Sequence, residues 1–520
     1  MLESVKQAKI GSIVPVYKEI YEEMDALEYF KKLSSYGNKK NSIFMQSNEK
    51  SFGSANPCLV VIGKDDDFEI IALNNLGKKF LNFIKKDFKF CDKATYSKGK
   101  IYGTLTPTRK SVAEEERLRL KTHMDIIRTI AFKFNPTTKP FMPYCGMFGM
   151  ISYDFVNQIE DLPRNEEDII KDPDYVLYFL DNMFIVEHKT KKTYFVANAL
   201  VIDNNKEKTY KDCNKIINNY EKLMSKKVPK GKKPKKKELK ISYDTSKDEF
   251  TGVIRSLKKH INEGDIVYAA PSRTTILNYN SEPLDLYSEL KTSSPGNTMF
   301  YVNDGYGVSI SSGATSFLSV LGDSEKSLEL NIYTSKVPRG ITEDEIDKDL
   351  DNKYEAMLKV DDNEIAYNTM LVDAARNDVA RVSRPGTRYV DKLFTVDKLA
   401  KSQYFTSNVR GVLIENFDAL HAYLATINFE KGIPKIKSMQ LLRKLEKTKR
   451  SFTAGSVVYI SPEKEMLSMT IEPIRVKKDK IYFGTSFRVF HNSNDEKEFK
   501  ARDIKDAELL DAIKSAGGFK

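Results

Sequence analysis

The stretch NEIAYNTMLVDAARNDVARV, residues 363–382, reads as a long helix. Ile365, Val372, Ala375, Val379 and Val382 recur at helical spacing and predict one buried stripe. Glu364 and Tyr367 are three residues apart and therefore share a face. Two carboxylates at that spacing are a common way to hold a divalent cation beside a cleft. Here the second position carries a phenol.

Outward from this helix, the chain alternates strands with a few helices. PCLVVIG (57–63) and FEIIAL (68–73) read as a hairpin, with KDDD at the turn. PYCGMFGMISYDF (143–155) reads as an apolar strand, and YVLYFLDNMFIVEH (175–188) with KTYFVANALV (192–201) as an antiparallel pair. Phe250, Val253, Ile254, Leu257 and Ile261 predict a helix over 246–263, with Gly264 just past its end. IVYAAPS, TMFYVND, GVSISSG, FLSVLG and LELNIYT follow as strands, then helices 363–382 and 434–447. SVVYISP, MLSMTIEPI, KIYFGTS and RVFHN close the chain as strands. The expectation is an α+β fold, a two-domain antiparallel α/β/α sandwich. The divisions expected are 1–205, a helix and Lys-rich linker at 206–245, and 246–520.

Composition excludes several functions. The net charge is +11, but KKVPKGKKPKKKELK (226–240) holds nine lysines and one glutamate, so +8 sits in that run and +3 in the rest. Without an Arg-rich helix or aromatic–basic interleaving, nucleic-acid binding is not expected, and the run reads as a solvated insertion. No apolar run is long enough to span a bilayer, and no signal peptide is read, so a cytoplasmic location is expected. The four cysteines, Cys58, Cys91, Cys145 and Cys213, form no Cys-x-x-Cys pair, and none has a glutaminase-type nucleophile context. The 520 residues contain no tryptophan. Chance, a biased genome, or a chain made when tryptophan is scarce would each explain that.

A series of blocks then carries a resemblance. GDIVYAAPSR (264–273), PGNTMFYV (295–302), VPRG (337–340), DLDNKYE (349–355), MLVDAARNDVARV (370–382), PGTRYV (385–390), FDALHAY (417–423) and GIPKIKSMQLL (432–442) occur in the order of the large subunit (component I) of anthranilate synthase. FGSANPCLVVIG, CGMFGMISYDFVNQIEDLP and DPDYVLYF resemble the N-terminal part of the same subunit. The resemblance implies the antiparallel sandwich, with residues 1–205 as the regulatory, tryptophan-site part and 246–520 as the chorismate-binding part. It implies conversion of chorismate and ammonia to anthranilate and pyruvate, the first step of tryptophan biosynthesis. It also implies Mg²⁺ and a glutamine amidotransferase subunit as partner.

The positions that carry this chemistry in the family are substituted. The two metal-binding Glu-x-x-Glu pairs are Glu364 with Tyr367 and Glu498 with Ala501. A histidine next to the first pair is Asn368, and the one expected near VDKLAKSQYFTSNVRG is Tyr404. A phenol of ordinary pKa near 10 does not replace an imidazole base at neutral pH. Ala-Ser-Pro-Glu falls at Thr315 or Ser316, without a carboxylate, and a Gly-Thr-Arg has become Ser335, Lys336 and Val337. The carboxylate-binding arginine corresponds to Pro473, and a Gly-Ala-Gly turn to TSFRVF (485–490). Gly432, Lys435, Tyr459 and Lys505 match substrate-binding positions, and Ser47 and Met299 match the tryptophan site, whose glutamate is Gln46. Lys336 and Arg488 are new positive charges: compensation for the lost arginine is one reading, and a solvated surface role is the favoured one. No catalytic residue is therefore expected with its family role. The reading is an anthranilate synthase component I-like protein, inactive or repurposed. A divergent active synthase and a binding protein that uses the basic linker are the alternatives. No cofactor is expected, and Mg²⁺ would be needed only by a surviving ancestral reaction. An anionic small molecule and a glutamine amidotransferase subunit are the partners considered.

Overall fold

The computed structural model describes residues 1–108, 112, 114–232, 238–342, 345–399, 402–427, 432–517 and 519. Two 12-stranded sheets form the centre. Their named strand pairs are antiparallel, apart from Ser12–Ile20 with Asn135–Pro136. The sheets face each other across one apolar core. Phe52 of one meets Phe148 of the other edge-to-face, with ring centroids 5.4 Å apart. Helices cover the outer faces. Ala26–Leu33, Lys206–Met224 and Pro283–Ser293 pack on the first sheet, and Asn75–Ile84, Asp362–Ala380 and Ala419–Thr426 on the second. The α+β antiparallel sandwich read from the sequence is thus present, with two sheets between the helical layers.

Both sheets draw strands from both halves of the chain. In the first, Ser42–Ser47 pairs with Thr298–Asn303; in the second, Gly146–Ile151 pairs with Gly455–Ile460. The first sheet's strands alternate faces. Phe44, Phe184 and Tyr301 point to the helices, while Ile43, Ile185, Phe300 and Val302 point to the other sheet.

Two segments that read as single strands are each split between the sheets. The run 175–188 divides at Asp181: Tyr175–Leu180 belongs to the second sheet and Asn182–Glu187 to the first. Asp181 turns the corner, and its carbonyl accepts from the backbone and side-chain amides of Asn198 at 2.7 and 3.0 Å. MLSMTIEPI divides in the same way. Met466–Ile471 lies in the second sheet and Ile474–Lys477 in the first, because Pro473 lacks the N–H a continuing strand needs. RVFHN contributes only a bridge between Val489 and Ala269, and PYCGMFGMISYDF is strand over Gly146–Ile151, then a 3₁₀ turn over Tyr153–Gln158.

The expected helix 246–263 is Lys247–Asn262. Ser246 and Glu249 form a reciprocal capping box, and Gly264 follows with φ +81°.

Candidate functional site

The helix quoted at the outset spans Asp362–Ala380. Asp361 caps it, accepting from the Asn363 and Glu364 amides at 3.0 and 3.2 Å. Tyr367, Asn368, Leu371, Val372, Ala375 and Val379 are buried, whereas Ile365 is only half-buried. The apolar stripe therefore begins at Tyr367. This sets Glu364 at the edge of the packed face, one turn before the phenol.

Glu364 is not a solvated carboxylate. Arg488 donates to it through both terminal nitrogens, Nη1 to Oε2 at 3.3 Å and Nη2 to Oε1 at 3.5 Å. The guanidinium also lies over the Tyr367 ring, with Cζ 4.3 Å from the centroid. Tyr367 in turn meets Tyr268 and Phe490 edge-to-face at 5.2 and 5.5 Å, and those two rings are 5.5 Å apart. A triangle of aromatic rings thus supports one guanidinium against one carboxylate. Burial lowers the Arg488 pKa, but Tyr367 and Glu364 outweigh it and raise it overall. The sequence reading of Arg488 as a solvated residue is corrected here: its charge turns inward. Lys336 is exposed, as read.

Asn368 is fully buried and works as a clamp. Its Nδ2 donates to Thr334 Oγ1 at 3.3 Å, and its Oδ1 accepts from Ser407 Oγ at 2.6 Å, tying the helix to two strands of the sheet. Tyr404 lies directly across from Lys336 in the ladder and meets the Tyr333 ring edge-on at 5.8 Å. Burial raises the Tyr404 pKa, so still less of the phenol is ionised and available as a base at neutral pH.

Gly432 and Lys435 flank the same helix. A Cβ at Gly432 would lie 2.3 Å from Ser438 Cβ and 2.9 Å from the Tyr268 carbonyl oxygen, so close packing requires glycine there. Lys435 Nζ is 3.6 Å from Asp378 and 3.4 Å from the Ala425 carbonyl, and burial lowers its pKa. Tyr459 is buried in the sheet and its hydroxyl donates to the Cys145 carbonyl. Glu498, Ala501 and Lys505 lie on the helix Asp495–Ser515, but their side chains are outside the described residues.

At the position matched to the tryptophan site, Ser47 closes its own hairpin. Its hydroxyl accepts from the Lys50 amide at 3.1 Å and donates to the Lys50 carbonyl at 3.0 Å. Met299 is buried directly opposite Gln46 in the ladder.

Among the described residues, the group of three ligand-type side chains close enough to share an ion is His260, Glu263 and Asp265, which does not include Glu364. No helix among them is long and apolar enough to cross a membrane.

This arrangement has clear relatives. The family model for the chorismate binding enzyme matches residues 92–505. Anthranilate synthase component 1 of Vibrio cholerae is 30% identical over 408 residues, covering 76% of this chain and 75% of that protein. The protein of the same name from Buchnera aphidicola subsp. Acyrthosiphon pisum is 30% identical over 492 residues, covering 92% and 90%. Among solved structures, anthranilate synthase component I from Streptococcus pneumoniae superposes with a TM-score of 0.69 at 21% identity, covering 90% of this chain and 92% of that one. The Escherichia coli isochorismate synthase MenF superposes with a TM-score of 0.63 at 12% identity, covering 98% of each chain. The chain belongs to the chorismate binding enzyme family and is anthranilate synthase component I-like.

Proposed function

We propose that this protein keeps the chorismate-binding fold but not the Mg²⁺-dependent synthesis of anthranilate, and that it acts as a binding subunit. The observation that carries this reading is the state of Glu364. Its two oxygens face Arg488, and the adjacent position on the helix face is Tyr367. Mg²⁺ takes near-octahedral oxygen ligands, with one or two carboxylates among them. A carboxylate engaged by a guanidinium, beside a ring packed into the core, does not suit that ion.

Two further features support the reading. Tyr404 has a phenol whose pKa is raised, so it holds its proton at neutral pH and cannot act as the base. Asn368 has both ends of its amide committed to the sheet. The fold is kept through packing, since Leu371, Ala375 and Val379 are fully buried. A glutamine amidotransferase subunit and an anionic small molecule are the partners proposed, and residues 1–205 are proposed as the regulatory part.

The test is direct. Purified protein is mixed with chorismate, Mg²⁺ and a high ammonia concentration, and chorismate loss is followed with anthranilate fluorescence. No turnover from a protein that melts cooperatively is expected. Turnover abolished by EDTA would identify a divergent, active synthase.

A further inference from the structure

We infer that Arg488 is a tethered cation that holds the carboxylate of a small anionic ligand beside Glu364 and Tyr367, without any divalent ion. This inference rests on the proposal above that no metal sits beside Glu364.

The local pairing supports it. The positive group that faces Glu364 belongs to the chain itself: it is Arg488, beside the uncharged Tyr367.

The donor count supports it too. A guanidinium offers five N–H groups. Two go to Glu364, and at 3.3 and 3.5 Å those bonds are long for a charged pair. The other three have no protein acceptor among the described residues. The side chain is 30% exposed, so it can be approached from solvent. The orientation is fixed: Glu364 holds one edge of the plane and Tyr367 covers one face, while Tyr268 and Phe490 brace Tyr367. A planar donor held in place loses little freedom when a carboxylate docks in its fork.

The local chain suits the role. Arg488 follows the strand Lys480–Ser486, whose end is tied down by Ser486 Oγ donating to Glu472 at 2.9 Å and Thr485 Oγ1 donating to Asp506 at 2.5 Å. Beyond it, the Val489 amide donates to the Ala269 carbonyl at 2.9 Å. The arginine is thus presented from a short segment anchored at both ends.

The test uses chorismate as a carboxylate probe, titrated calorimetrically into the full chain in EDTA. Wild type is expected to bind, Arg488→Gln to bind at least tenfold more weakly, and Arg488→Lys to fall between them, all with cooperative melts. Mn²⁺ is titrated in parallel. Binding in EDTA that Arg488→Gln leaves unchanged, or no binding at all, overturns the inference but leaves the metal-free reading standing. Probe binding that requires Mn²⁺ and is lost in Glu364→Gln overturns both.

Discussion

Arg488 Cζ lies 4.3 Å from the centroid of the Tyr367 ring, and the two residues are 121 positions apart in the chain. The contact joins the second turn of the helix Asp362–Ala380 to the segment after the strand Lys480–Ser486. Its aromatic member, Tyr367, stands where the resemblance implies a metal ligand.

This contact should be measurable as a coupling. A double-mutant cycle of Tyr367→Leu and Arg488→Gln is expected to give an interaction energy of about 0.5–2 kcal/mol, the range for a partly desolvated cation–π pair. Denaturant unfolding of the four proteins reads it. Strict additivity would mean that the ring and the guanidinium do not support each other.

A second prediction concerns the ion cluster that joins the two halves of the chain. Arg475 holds Asp172 at 2.9 Å and Asp304 at 2.8 Å, and Lys477 adds a bond to Asp172 at 2.9 Å. All three carboxylate and guanidinium groups of the Arg475, Asp172 and Asp304 cluster are buried. Arg475→Met leaves two buried carboxylates without their main partner. The expected loss is about 3–5 kcal/mol, read as a lower denaturation midpoint.

A third prediction concerns pH. His123 is fully buried, and its Nε2 faces the carbonyls of Leu105 and Asp66 at 3.1 and 3.3 Å while Nδ1 faces the Tyr175 hydroxyl at 3.1 Å. Those partners suit a neutral ring with the proton on Nε2. Burial lowers the His123 pKa in the folded state. The unfolded chain therefore binds the extra proton first, below pH about 6.5. The His123 contribution is complete above that pH and is lost as pH falls through the lower, folded value. Asp174 and Asp181, pushed up to about 6 by burial, act oppositely: their contribution is present at acid pH and is lost as pH rises through about 6. The His123 part is isolated by comparison with His123→Asn. The difference in Tm between the two proteins is expected to shrink from pH 7.5 to pH 5. A difference that stays constant would contradict the assignment.

A fourth prediction tests close packing beside Tyr268 and Ser438. Gly432→Ala places a methyl group 2.3 Å from Ser438 Cβ. A cost of about 1–3 kcal/mol is expected, as for other overpacked positions. A neutral effect on Tm would show that the 432–438 segment yields easily.

Much of the fold was legible in the sequence, for identifiable reasons. Helix Asp362–Ala380 announces itself by its apolar spacing, and Lys247–Asn262 by its apolar stripe and following glycine. The hairpin of Leu59–Lys64 and Asp67–Ala72 has a polar turn between apolar runs. The sheet changes at Asp181 and Pro473 were not legible as such. Strands on both sides of Asp181 are buried on both faces, so no alternation marks where one sheet ends and the other begins. In the site, the residue types at Tyr367, Asn368 and Tyr404 are plain in the sequence. The destination of Arg488 could not, because its partner Glu364 lies 124 residues away and only the fold brings them together. An arginine flanked by Phe487, Val489 and Phe490 was the available signal, since such an apolar segment packs against the core and brings its charge with it.

The most direct test of the central claim is a Mn²⁺ titration of the full chain followed by electron paramagnetic resonance, on wild type and Glu364→Gln. Mn²⁺ stands in for Mg²⁺ as a hard, oxygen-seeking divalent ion. The account predicts that the two proteins give the same titration, with any weak binding arising elsewhere, for example at the exposed group of His260, Glu263 and Asp265. A tight site present in wild type and absent from Glu364→Gln would contradict it, and would restore Glu364 as a metal ligand.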